Sequence, residues 1–132
     1  MTDQLVNGTI YTRVGEPTYL TFGGLPTDKN YKLYLGIKTI NTRETVGNEI
    51  FVETNNSATV DLVIPVEVVN LLEVPLNKSY NKYTWGIKLC YHDPATNTIY
   101  EKTIIPKNND GTERPYGSIN YLIVYPEQVK GI

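Results

Sequence analysis

The sequence predicts an all-β chain: one antiparallel β-sandwich domain over residues 1–132, with about seven to nine strands. Three observations carry this expectation. The first is the unbroken alternation of residues 83–91. Tyr83, Trp85, Ile87, Leu89 and Tyr91 are large and apolar or aromatic, and Thr84, Gly86, Lys88 and Cys90 between them are small or polar. Strand side chains point to opposite faces in turn, so this is a strand with one buried face, and Trp85 is the largest residue it buries. The second is recurrence of the same pattern at residues 31–40 and 58–64, with Gly, Pro and Asn clusters at the spacing of sandwich turns. The third is composition. Eleven Tyr stand against two Phe and one Trp, and tyrosine suits both a half-buried pleated surface and a contact surface.

In chain order, residues 5–11 predict a first, edge strand in which Asn7-Gly8 allows a bend or bulge. A turn at 14–17 leads to a strand at 18–22, which Gly23-Gly24 and Pro26 end. Residues 31–40 form a strand with Tyr31, Leu33, Leu35 and Ile37 inward and Lys32, Tyr34, Gly36 and Lys38 outward. Its Gly36-Ile37-Lys38 recurs as Gly86-Ile87-Lys88. That recurrence suggests two neighbouring strands, each with a glycine where another segment crosses closely. A polar loop at 42–47 precedes a short strand at 49–53 and a turn at 55–57. Val60, Leu62 and Ile64 then face inward on the next strand.

Pro65 suits the first turn of a helix, because its missing N–H would go unpaired there. Val68, Leu71 and Leu72 follow at near-helical spacing, so residues 65–72 predict one short helical turn capping an open end of the sheets. After the Trp85 strand, His92 to Asn97 form a turn and residues 98–100 start a return strand. The polar loop at 107–115 is the segment expected to be most mobile. Residues 118–125 are apolar on both faces and predict a central or covered last strand.

Composition narrows the function classes. A net charge of −2, with no basic cluster, gives no field for nucleic acid or an anionic membrane. The first residues lack the basic-then-apolar pattern of a secretory leader, and no apolar run approaches the roughly 20 residues that span a bilayer. Cys90 is the single cysteine, so the fold has no internal disulfide.

Chemical constellations are sparse. Cys90 and His92 share a strand face beside Asp93, yet no second Cys or His exists to complete a metal site, and nothing orients them as a nucleophile pair. Residues 108–113 resemble a calcium loop only in part: Pro106 stands where the first carboxylate belongs, and the closing glutamate is missing. Gly23-Gly24 has no following helix or Lys to make a phosphate cradle. Asn7, Asn55 and Asn77 begin N-x-[ST] triplets, which read as Asn-rich turns. The expectation is therefore a protein with no catalytic, metal or cofactor site.

The order of features resembles a known family. A Gly turn (Val14-Gly15-Glu16-Pro17) leads to Tyr19-Leu20-Thr21-Phe22, and Val60-Asp61-Leu62-Val63-Ile64-Pro65 runs into a short helical turn. Tyr83-Thr84-Trp85-Gly86-Ile87-Lys88-Leu89 follows, and Gly117-Ser118-Ile119 opens the last strand. This is similar to the immunoglobulin-like β-sandwich domains of tailed-phage virion proteins, most of all the N-terminal domain of upper baseplate proteins. The polar segment 107–115 is longer than in that pattern.

The resemblance implies an immunoglobulin-like, non-enzymatic structural subunit of a baseplate, tail or head. It would be made in a host cytoplasm and assembled with copies of itself and other virion proteins. Residues not placed inward are then the expected contacts: Tyr11, Tyr34, Tyr116 and Tyr125, with the loop around Arg114. Chain ends 1–4 and 127–132 would be docking arms. The rival reading is a carbohydrate-binding module stacking a sugar on an exposed ring, for which Trp85 is the natural platform.

Overall fold

In the computed structural model, which describes residues 5–128, the chain is nearly all β and forms two sheets. In order come β1 (Leu5–Val6), β2 (Thr9–Arg13), β3 (Thr18–Phe22), β4 (Lys32–Lys38), β5 (Ile50–Glu53) and β6 (Val60–Ile64). After them lie the single turn of helix α1 (Val66–Val69), β7 (Asn81–Asp93), β8 (Thr98–Ile104) and β9 (Tyr121–Tyr125). The large sheet runs β1-β2-β9-β7-β4-β5, with β8 also paired to β7; β3 and β6 make a two-stranded sheet.

The predicted inward sets are the core. Leu33, Leu35 and Ile37 of β4 and Tyr83, Trp85, Ile87 and Leu89 of β7 are buried. So are Leu20 and Phe22 of β3, and Val60, Leu62 and Ile64 of β6. With Ile10, Leu122 and Val124 they form one hydrophobic cluster between the sheets. Removing each such side chain from water contributes about 1.5–3 kcal/mol.

One pairing departs from antiparallel order: β2 lies parallel to β9, with Ile10 opposite Leu122 and Arg13 opposite Tyr125. Parallel neighbours need a long connection, and here nearly the whole chain supplies it, since the two strands come from opposite ends. The last strand is thereby central, as its two apolar faces predict.

Three local expectations are corrected. Residues 5–11 are two strands, because Asn7 (φ 49°) and Gly8 (φ 82°) both take left-handed backbone and close a two-residue hairpin pairing Val6 with Thr9. The helical turn buries Val69 and Leu72, while Leu71 is exposed. Pro65 precedes that turn as its cap, in extended conformation.

Finally, Gly36 and Gly86 are direct partners in the β4–β7 ladder, but no segment crosses them. A Cβ at Gly86 would meet nothing within 4 Å, and one at Gly36 only the Glu49 side chain.

The sheet changes partner at its centre. On one side β7 pairs with β4 from Lys38↔Thr84 to Lys32↔Cys90. On the other it pairs with β9 through residues 81–84, then with β8 through residues 87–93. The exchange falls at Trp85-Gly86 and leaves a split between the ends of β8 and β9.

Candidate functional site

Trp85 is 5% exposed and fastens this split from inside. Its ring lies 6.0 Å from that of Phe22 on the small sheet. Its indole N–H donates to Gly8 O and Tyr121 O, each at 3.1 Å, and its backbone N–H to Asn120 O at 3.0 Å. With its ring enclosed and its N–H bonded inward, Trp85 is a structural anchor and offers no stacking platform.

Arg114 belongs to the same knot. Its guanidinium donates to Asn120 Oδ1, to Ile119 O at 3.0 Å and to Pro106 O at 3.4 Å. A Cβ on Gly8 would collide with it. Arg114 was expected as a contact residue, and the structure instead spends its donors inside the chain. The polar 107–115 loop is likewise tied down: Asn7 and Asn109 exchange backbone-to-side-chain hydrogen bonds, and Asn109 Nδ2 donates to Leu5 O at 3.3 Å.

The four expected tyrosines differ in setting. Tyr11 and Tyr34 point outward from the large sheet, Tyr34 with its ring 5.4 Å from Phe51. Tyr125 faces the same way, between Tyr80 (6.4 Å) and the Arg13 guanidinium (5.5 Å). Tyr116 sits in the loop before β9 and is 97% exposed. The structure thus gathers Tyr11, Tyr34 and Tyr125 on one face, joined by Phe51 and Tyr121, which sequence reasoning did not single out. The signal for both was parity. Phe51 is opposite Tyr34 and Tyr121 opposite Thr84, so each shares its partner's outward face.

That outer face also carries the Gly36–Gly86 pair. Two facing residues without side chains leave an open furrow of about 710 Å³, bordered by Tyr34, Glu49, Lys88 and Glu101. Lys88 and Glu101 face each other there at 3.7 Å.

The other chemical candidates of the sequence are placed as follows. Burial pushes the Cys90 thiol up, with the Glu101 carboxylate adding to it, the wrong direction for a nucleophile. His92 Nε2 shares a 2.8 Å hydrogen bond with Asn97 Oδ1. The Thr112 hydroxyl and N–H donate to Asp110 and hold its carboxyl below the ordinary value, which makes a closed turn. Among the described residues no three His, Cys, Asp or Glu side chains converge as metal ligands, and no helix is long and apolar enough to cross a membrane.

No protein-family model matches this chain, and a search of curated proteins finds no match either.

Proposed function

We propose that this chain is a non-enzymatic structural subunit of a tailed-phage virion, a baseplate, tail or head accessory part that works through protein–protein contacts. In this reading it is made in a host cytoplasm and assembles with copies of itself and other virion proteins. The virion setting rests on the order of sequence features. The contact role rests on one observation: the outer face of the large sheet carries Tyr11, Tyr34, Phe51, Tyr121 and Tyr125, and among the described residues no strand or helix layers over them. Aromatic side chains bury much area at low entropic cost and dominate interface energetics.

The carbohydrate-binding alternative loses its platform, since Trp85 is enclosed in the core. Light scattering of the purified protein over a wide concentration range tests the choice. The expected result is a discrete symmetric oligomer that Tyr34→Ser with Phe51→Ser disperses without loss of folded structure. A monomer at every concentration that binds a glycan array would overturn the proposal.

A further inference from the structure

The split where β7 exchanges β9 for β8 opens on the surface as a cleft of about 500 Å³. Its walls are largely apolar: Ile104 ends β8 and Ile105 follows it, Tyr116 and Ile119 precede β9, and Ile40 lines it as well. Tyr116 and Ile119 are mostly exposed, so this lining faces water. A second cleft, of about 740 Å³, continues from the first through the shared Ile40 and runs between residues 39–42 and 77–83.

Charge is distributed one way. Lys38 and Arg43 line the first cleft and Lys78 and Lys82 the second, and no described Asp or Glu lines either one; Glu49 and Glu101 border the neighbouring furrow, which shares Lys38, Thr84 and Thr103 with the first cleft. This occurs in a chain with more acidic than basic residues. The ion pairs of the described residues are Arg13–Glu16, Lys29–Asp28 and Lys88–Glu101, so none of the four cations forms an ion pair with a described carboxylate. Lys82 lies over the Tyr121 ring at 5.4 Å, with its charge held at the rim.

From this we infer that the double cleft receives an extended acidic segment of a partner protein, with carboxylates on Lys38, Arg43 and Lys78 and an apolar side chain between Ile40 and Ile119. The inference deepens the contact role proposed above and rests on it. Charge complementarity selects the occupant: an apolar cleft that adjoins a polar one, with cations outside any ion pair along both, disfavours a basic or purely apolar segment and orients an acidic one. Two joined clefts suit several residues of extended chain better than one small molecule.

Selection from a random dodecapeptide display library on the intact protein tests this. Wild-type protein should enrich peptides that combine Asp or Glu with Leu, Ile, Phe or Tyr. Lys38→Glu with Arg43→Glu should weaken an enriched peptide by about tenfold or more and shift selection toward basic peptides. Ile40→Ser should weaken binding without changing the charge preference. Melting curves on each variant separate lost binding from lost fold.

The inference is overturned if nothing is enriched or if enriched peptides carry no acidic bias. It is equally overturned if the charge swap leaves the selection unchanged, or if dodecanoate displaces the peptide and binds more tightly, which would mark a small-amphiphile site. Light scattering of the wild-type protein used in the selection keeps the two proposals apart. An oligomer that forms while the wild-type protein enriches no acidic peptide refutes the cleft and leaves the contact role standing.

Discussion

At the scale of single residues, the Trp85 knot is where chemistry and stability meet. Trp85→Phe keeps an aromatic ring near Phe22 but leaves Gly8 O and Tyr121 O without their shared donor. A loss of about 2–4 kcal/mol is expected from the cavity and the lost hydrogen bonds together, read from denaturant midpoints. Gly8→Ala strikes the same knot from the other side. It puts a side chain on a φ of 82° and drives it into Arg114, so it should cost about 1–3 kcal/mol although it adds one methyl group.

Tyr31 supplies the pH dependence at this scale. Burial raises its phenol above the ordinary 10.0, and donation to Asp28 Oδ1 at 2.9 Å raises it further. A raised folded-state value means the stabilisation is fully present below the unfolded value and is lost as pH climbs through the folded one. Stability should therefore hold up to about pH 10 and fall above it, and Tyr31→Phe should flatten that fall in urea titrations at stepped pH. An unchanged slope in the variant would assign the alkaline loss elsewhere.

At the scale of elements, the Gly36–Gly86 furrow is an unusual feature of the β4–β7 ladder. Glycine within a strand costs about 0.5–1 kcal/mol relative to alanine, and sterics do not require it at Gly86, where a Cβ would meet open space. Gly86→Ala should accordingly raise stability by about 0.5–1 kcal/mol. A destabilised variant, scored by thermal melting, would refute the open-furrow geometry. If the variant is more stable yet assembles less well, the furrow serves contact at the expense of the strand.

The strands themselves were legible, because a period of two with one buried face survives in sequence wherever the partner sheet is apolar. That is why Tyr31, Leu33, Leu35 and Ile37 read inward correctly. What sequence could not show was which segment lies beside which. The recurrence of Gly-Ile-Lys implied adjacency but not direct pairing, and it gave no hint that the space above Gly86 is open. Arg114 read as a free loop cation because its acceptors, Pro106 O, Ile119 O and Asn120 Oδ1, are mostly backbone carbonyls, to which sequence assigns no partner. The cationic cleft was invisible for the same reason. Lys38 and Arg43 lie far in sequence from Lys78 and Lys82, and the β4–β7 ladder, which sets Lys38 opposite Thr84, brings the two pairs to neighbouring clefts.

At the scale of the molecule, the fold depends on joining its two ends. β2 and β9 pair in parallel at the middle of the large sheet, and β7 lies against β9 on the other side. The two-stranded β3–β6 sheet has no stability of its own, since an isolated pair of strands is marginal in water. It survives by burying Leu20, Phe22, Leu62 and Ile64 against the large sheet. Both sheets should therefore unfold together. Trp85 reports on all the joined parts at once, touching Phe22 of the small sheet, the β1–β2 turn through Gly8, and β9 through Tyr121. Its fluorescence should follow the same denaturation curve as far-ultraviolet circular dichroism, which averages over every strand. Leu122→Ala, a truncation at a fully buried site between β2 and β7, should move both curves to a lower midpoint together, by about 2–5 kcal/mol. If fluorescence shifts ahead of dichroism in that variant, the β3–β6 sheet separates from an intact large sheet and the closure of the chain ends is not what holds the sandwich shut.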